Sequence, residues 1–441
     1  MRNRQAEEHV QAVLAGIANR ARVSKRHRFG GVYTLLNEEF LRWSFYHLNR
    51  KAAPGVDEVT WSAYEENLEA NLQGLVERLK RKAYHARLVR RHYIPKSNGK
   101  RRPLGIPVLE DKLVQHAVKT ILEAIYEADF VEYSFAYRPQ RSGKDAASEL
   151  CFRMQFAPLS WLVEADIKGF FDNIDHAWML RMLEERIDDR AFLRLIGKWL
   201  KAGVLEDIRT VTHPATGTPQ GGVISPILAN IYLHYALDLW FERVVKKEAK
   251  GECLHMRYAD DFVDAFRYQE DADRYYRKQL PERLAKFNLT LAPEKTRMLR
   301  FTRYEVHKSE SFEFLGFEFR WGLNRHKRPQ VKRRTARQKL RAACRELQAW
   351  IKSNHHMGIR PLMTTLANKL RGHWNYFGVP HNSTSLWAFY THACELVYKW
   401  LNRRSQRRSF TWERLKAMLG RHNLPKPRIT EKAPKRRYAY T

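Results

Sequence analysis

Apolar residues recur along this chain with two different spacings, and the alternation between them divides it into helical and extended segments. Residues 1–50 read as helical and basic up to a Gly30-Gly31 break, and the Pro-Gly within 51–57 marks a loop. Leu68, Leu72, Leu75 and Leu79 then share one helical face, as do Val114, Val118, Ile121, Leu122 and Ile125. Between those stripes, Asn98-Gly99 predicts a hairpin joining two extended segments rimmed with cations. In the middle third, 161–166 is a short apolar run that ends in an acid and reads as a strand. Asp175 is placed to cap a helix running through Met179, Leu183 and Ile187. Ser225 and Pro226 read as the N-cap and first turn of a helix with Leu228, Ile231, Tyr232, Tyr235 and Leu239 on one side. Residues 254–258 and 262–267 predict two strands flanking a tight hairpin at Ala259-Asp260-Asp261. Further on, Ala336, Leu340, Ala343, Leu347 and Trp350 make one helical stripe and Leu362, Leu366, Leu370 and Phe377 another. Lys and Arg fill the faces between, which predicts a separate basic helical domain after 321–329.

Composition narrows the class. The 441 residues, 44% hydrophobic and 12% aromatic, carry enough apolar surface for several cores and exclude a disordered chain. Four scattered cysteines without a C-x-x-C pair exclude a zinc ribbon or disulfide scaffold and fit a reducing compartment. The most apolar stretch, 222–241, contains Ser225, Pro226, Asn230, His234 and Asp238, so no membrane span is expected. The apolar run 10–18 is bracketed by Glu7, Glu8, Arg20 and Arg22, unlike a signal peptide. The formal charge is +32, and 321–441 holds 28 basic against 4 acidic residues. Such concentration points to a polyanionic partner.

Candidate chemistry lies in the acids. Asp166 ends one predicted strand and Asp260-Asp261 occupy a hairpin tip, so neighbouring strands in one sheet would bring them together. Carboxylates so placed repel unless a cation intervenes, and magnesium, a hard ion that shares its oxygen ligands with phosphates, suits the task. Two such ions about 3.5–4 Å apart serve in-line nucleotidyl transfer. Tyr-Ala-Asp-Asp alone is weak, since an Asp pair in a hairpin is commonly turn chemistry.

The ordered set of motifs is far more specific. KAAPGVD at 51–57, IPKSNGKRRPLGIP at 94–107, AYRPQRSG at 136–143 and ADIKGFFDNIDH at 165–176 come first. GTPQGGVISPILANIYL at 217–233, RYADDF at 257–262, PEKT at 293–296 and FEFLGF at 312–317 follow in order. From about Phe29 onward, the chain resembles the reverse transcriptases encoded by bacterial group II introns, the intron maturases. The resemblance implies an α+β right-hand polymerase, with fingers and an antiparallel palm sheet followed by an α-helical thumb/maturase domain. It implies a basic N-terminal extension at 1–60, fingers and palm at 61–325 and the thumb/maturase domain at 326–441. Paired cysteines of an endonuclease region are missing, so target-strand cleavage is not expected.

Carried over residue by residue, the resemblance implies that Asp166, Asp260 and Asp261, with the carbonyl of Ile167, hold two Mg2+ ions. Phe171 would be the steric gate against a ribose 2′-hydroxyl, although core packing explains a Phe170-Phe171 pair equally well. Gln220 would line the nucleotide pocket, Lys96 and Arg102 would hold the triphosphate, and Lys295 would donate a proton to pyrophosphate. Phe314, Leu315 and Gly316 match the primer grip and also suit a buried aromatic strand. Lys369, Arg371, Arg403, Arg404, Arg407 and Arg408 are the expected RNA-binding cations. Asp264 is an unusual acid near the triad whose facing is open, and Ala136 replaces a commonly seen Gly. The implied partners are group II intron RNA, an RNA template with DNA primer, deoxynucleoside triphosphates and target DNA, in the bacterial cytosol. Other readings are a domesticated enzyme of phage defence or DNA repair, and an RNA-binding splicing factor with a vestigial polymerase.

Overall fold

The computed structural model describes residues 2–95, 101–207, 210–212, 216–218, 221–404 and 410–431. In chain order the strands begin with β1 (Val89–Pro95), β2 (Arg101–Ile106), β3 (Trp161–Asp166), β4 (Val204–Asp207) and β5 (Thr210–Thr212). They continue with β6 (Cys253–Tyr258), β7 (Asp261–Phe266), β8 (Arg297–Arg300), β9 (Phe312–Phe314), β10 (Phe317–Leu323) and β11 (Pro329–Thr335). The central sheet runs β6-β7-β3-β8 and is antiparallel throughout. A second sheet, β2-β1-β4-β5, contains the hairpin whose register pairs Pro95 with Arg101. A third, β11-β10-β9, lies further along the chain.

The central sheet is covered on both faces, and strand alternation decides what each face meets. Val163, Ala165, Phe262 and Phe266 join a large core that includes helix Leu109–Tyr126 and the helix starting at Ser225. Leu162, Met256, Val263 and Ala265 join a second core with helix Gly143–Phe156 and the aromatic residues of the third sheet. Asp175 caps helix His176–Glu184 as expected, accepting from the Trp178 amide at 2.9 Å. That helix stops before Ile187, which instead pairs with Phe29.

Three expectations need correction. Ser225 is the first helical residue, not the cap, and its hydroxyl lies 2.9 Å from that of Thr218. The helix it opens is buried nearly all round and contains two π-helical turns, His234–Asp238 and Phe241–Val245. The single stripe predicted there is too narrow: Leu228, Ile231 and Tyr232 do join the large core, but so do Ile227, Ala229 and Leu233 on the other sides. The basic helical region begins at Arg337, since 329–335 is strand β11, paired along its length with β10. Positions 325 and 326 fall in that hairpin's turn. The first sixty residues share the large core through Phe40, Leu41 and Phe45.

Helices Arg337–Asn354, Ile359–Phe377, Ser383–Leu401 and Trp412–Arg421 enclose a third core around Leu366, Leu370 and Trp374. A clasp ties this bundle to the rest. The amides of Thr430 and Glu431 both donate to the Gly378 carbonyl, at 2.8 and 2.9 Å. Glu431 also accepts from Ser148 at 2.5 Å and from Arg333 at 2.6 Å, while Lys144 donates to Thr430 at 2.9 Å. A Cβ at Gly378 would lie 2.7 Å from the Thr430 hydroxyl, so the approach requires glycine. Among the described residues no helix is long and apolar enough to cross a membrane.

Candidate active site

The β3–β7 register sets Asp166 directly opposite Asp261. Opposed residues in an antiparallel pair point to the same face with Cβ atoms about 4.5–5.5 Å apart. The Tyr258–Asp261 pair closes the β6–β7 hairpin, leaving Ala259 and Asp260 as its loop. Ala259 takes φ +58°, a left-handed conformation that costs a non-glycine residue about 1–3 kcal/mol and that such hairpins commonly give to Gly or Asn. The three acids feel one another. Burial, then the charge of Asp166, raises the Asp260 pKa, and burial with the charges of Asp166, Asp260 and Glu164 pushes Asp261 up to about 8. Lys295 relieves part of this repulsion through an ion pair with Asp166. Burial lowers the Lys295 pKa, yet the Asp166 hydrogen bond and the neighbouring acids hold it above its ordinary value.

Among the described residues no three His, Cys, Asp or Glu side chains form a closed metal cage. The donors nevertheless suit a hard divalent ion: all are carboxylate oxygens whose mutual repulsion a cation would relieve. Magnesium completes its shell with water and substrate phosphate, so it needs no closed protein cage. Ile167 is buried beside them, and the Asp166 carbonyl accepts from the Ala292 amide at 2.8 Å.

A cleft of about 1100 Å³ opens from these acids, lined by Asp166, Asp261, Lys295, Leu315, Gly316 and Arg337. Leu315 (φ +53°) and Gly316 (φ +79°) form the two-residue turn between β9 and β10. Tyr376 donates to the Leu315 carbonyl at 2.9 Å, fixing that turn to the helical region. Phe314 is buried beneath it, so its side chain is core while the turn faces the cleft.

Other motif blocks meet around Phe171. The Thr218 amide donates to the Phe171 carbonyl at 2.8 Å. Gly217 (φ +92°) permits this, since a Cβ would stand 2.8 Å from the Asp172 carbonyl. Phe171 itself is 7% exposed. Gly221 approaches β2 closely, where a Cβ would lie 2.8 Å from the Gly105 carbonyl. Arg102 is exposed on β2, near enough for its charge to lower the Asp260 pKa. Lys96 and Gln220 lie outside the described residues.

Comparison with known proteins gives these blocks a family. Residues 94–319 match the model of reverse transcriptase (RNA-dependent DNA polymerase). Group II intron-encoded protein LtrA of Lactococcus lactis subsp. cremoris is 30% identical over 444 residues, covering 80% of this chain and 72% of that protein. The chain belongs to the group II intron-encoded reverse transcriptases. Protein YkfC of Escherichia coli (strain K12) is 32% identical to this reverse transcriptase over 294 residues, or 60% of this chain and 74% of that one. Among solved structures, apo telomerase from Candida tropicalis aligns with a TM-score of 0.46 at 14% identity, covering 77% of this chain and 61% of that one.

This reverse transcriptase is therefore an RNA-directed DNA polymerase of right-hand fold, in a metal-dependent family that binds an RNA template. Its helical region carries exposed cations. Lys369 lies 5.0 Å from the Trp350 ring and Arg403 lies 5.4 Å from that of Trp400. Arg371 donates to Asn368 at 2.9 Å and Arg404 to the Met357 carbonyl at 2.7 Å. Arg407 and Arg408 lie outside the described residues. Asp264 faces away from the triad: it stands three positions after Asp261 on the same strand, an odd step that puts it on the opposite face, fully buried. Sequence reasoning passed over Tyr137, which at φ +56° and 46% exposure feels the charges of Asp260 and Arg102. It also passed over Arg257, whose signal was a cation inside a strand otherwise suited to burial.

Proposed function

We propose that this enzyme copies RNA into DNA by two-magnesium nucleotidyl transfer, with Asp166, Asp260 and Asp261 and the carbonyl of Ile167 as ligands. The observation that carries the reading is the opposed Asp166–Asp261 pair with Asp260 on the adjoining turn and Lys295 on Asp166. The ions would lower the pKa of the primer 3′-hydroxyl and neutralise charge on the departing pyrophosphate. The protein's part is orientation. Lys96 and Arg102 hold the triphosphate, Phe171 and Gln220 bound the sugar, and Lys295 delivers a proton to pyrophosphate. Phe314, Leu315 and Gly316 hold the primer end, supported by the turn's place on the cleft wall.

The same chain binds its parent intron RNA and assists splicing and retrohoming into target DNA. Residues 61–336 serve as fingers and palm and the helical region from Arg337 onward as thumb and maturase surface, with 1–60 as a basic extension. Lys369, Arg371, Arg403, Arg404, Arg407 and Arg408 contact RNA. The charge of 321–441 and the relationship to an intron-encoded protein support this. The test is extension of a DNA primer on an RNA template with Mg2+ and deoxynucleotides, beside splicing of RNA from the flanking locus. No extension under any divalent ion, with RNA binding retained, would leave only the splicing role.

A further inference from the structure

The sheet face opposite the three acids carries a buried row of charge. Asp264 accepts from Tyr275 at 2.6 Å and lies 2.6 Å from His255 Nδ1, whose Nε2 lies 3.1 Å from Asp238. Arg257 grips Asp238 with Nε at 2.7 Å and Nη2 at 2.6 Å. The side chains of Asp238, His255, Asp264 and Arg257 are wholly buried. Burial alone would lower the His255 pKa, but the flanking carboxylates raise it to about 9, so two cations balance two anions. An apolar set of similar volume commonly serves stability as well as or better than such a row, so stability alone does not account for it.

The account lies in the remaining donors of Arg257. Nη1 donates to the Ala259 carbonyl at 3.1 Å and to Asn230 Oδ1 at 3.2 Å, and Nη2 to the Ser134 hydroxyl at 2.7 Å. All five N–H groups of the guanidinium are thereby engaged. Ala259 is the strained residue immediately before Asp260. Asn230 belongs to the helix opened by Ser225, and its amide donates to the Ala136 carbonyl at 2.7 Å. Asp238 closes the π-helical turn of that helix. One buried side chain therefore joins the acidic turn, the helix that follows the Pro-Gln-Gly-Gly segment and the start of the Ala136 block.

We infer that Arg257 is the positioning residue of the catalytic turn, holding the Ala259 carbonyl so that Asp260 stands at a fixed distance from Asp166. This rests on the reading of Asp260 as a metal ligand. A displacement of about 1 Å at a reacting centre costs roughly 10²-fold in rate. Lysine cannot replace the fork, because its ammonium has three donors from one point.

The experiment compares the full-length wild type with Arg257→Lys and Ser134→Ala in single-nucleotide extension of a primed RNA template, titrating Mg2+. For Arg257→Lys, kcat should fall about 10²-fold. The Mg2+ midpoint should move upward, while the nucleotide KM, primer–template affinity and circular dichroism stay near wild type. Ser134→Ala, which removes one hydrogen bond and no charge, should lower kcat several-fold with the same upward Mg2+ shift. If Arg257→Lys is folded and keeps wild-type kcat and Mg2+ dependence, the inference fails. If Arg257→Lys does not fold, Ser134→Ala decides: unchanged kcat and Mg2+ midpoint overturn the inference, and a joint shift supports it. A wild type that extends no primer would instead overturn the polymerase reading.

Discussion

Lys295 and Asp166, 129 residues apart in the chain, form an ion pair at the mouth of the cleft. The Lys295 side chain is more than half exposed and lines the cleft beside Asp166. A proton donor there must be charged before the step, and the acids around Lys295 keep it so. Lys295→Ala should lower kcat by about 10²-fold, the low end for general acid catalysis, while primer–template affinity stays near wild type. Single-turnover extension at saturating nucleotide measures this, and an unchanged rate removes Lys295 from the proton-donor role.

Asp260→Asn keeps the shape of the turn and removes one negative oxygen. Extension should be abolished at any Mg2+ concentration, with RNA affinity nearly intact. Filter binding beside primer extension separates the two. A parallel loss of binding would mean that Asp260 holds the hairpin together.

Phe171 is both packed and poised. It sits at 7% exposure in the turn after Gly169, so Phe171→Ala should cost about 3–5 kcal/mol of stability. If its ring also bars a 2′-hydroxyl, the variant should take up ribonucleotides about 10–200-fold better relative to deoxynucleotides. Competition between the two at low temperature, where the variant stays folded, gives the ratio. Lost stability with unchanged sugar discrimination would leave Phe171 as core only.

The buried His255 links stability to pH. Its folded pKa of about 9 exceeds the ordinary histidine value of 6.5. A raised histidine stabilises fully below its unfolded pKa, and that contribution is lost as pH rises through the folded value. Stability should therefore fall between pH 6.5 and about 9, by on the order of 3 kcal/mol. Thermal unfolding across that window should show the decline in wild type and a flatter profile, from a lower start, in His255→Gln.

The clasp predicts a separation between chemistry and grip. Glu431→Gln weakens the buried contact with Arg333, and Gly378→Ala pushes the Thr430 segment off its carbonyl. Both variants should add a single nucleotide at the wild-type rate and release the template sooner, giving shorter products. Product-length distributions under a trap measure it, and wild-type lengths from both would show that the clasp does not hold the helical region during synthesis.

Much of this is legible in the amino-acid sequence. The stripe from Val114 to Ile125 and the short run at 161–166 announced a buried helix and an interior strand, because each can satisfy its apolar face in only one way. The facing of Asp264 stayed open in the sequence, because the odd step from Asp261 reverses a side chain only once both acids are known to lie on strand β7. The Asp166–Asp261 register was not legible either, because pairing between distant strands is set by the whole sheet. The π-helical turns leave no sequence signal of their own. By composition Lys295 was one cation among 80, singled out only by the PEKT resemblance, and its ion pair with Asp166 was not legible. Thr430 and Glu431 are single polar residues whose partners on helix Gly143–Phe156 stand 286 and 283 positions earlier.

That separation imposes a timetable on a chain emerging from a ribosome. The central sheet has all its strands once Arg300 is out, whereas the latch to Gly378 waits for Glu431. At about 5–20 residues per second the interval is on the order of ten seconds. During it every strand of the central sheet has been made while the last residues of the latch have not, so the helical region is the part of the chain that is fastened last.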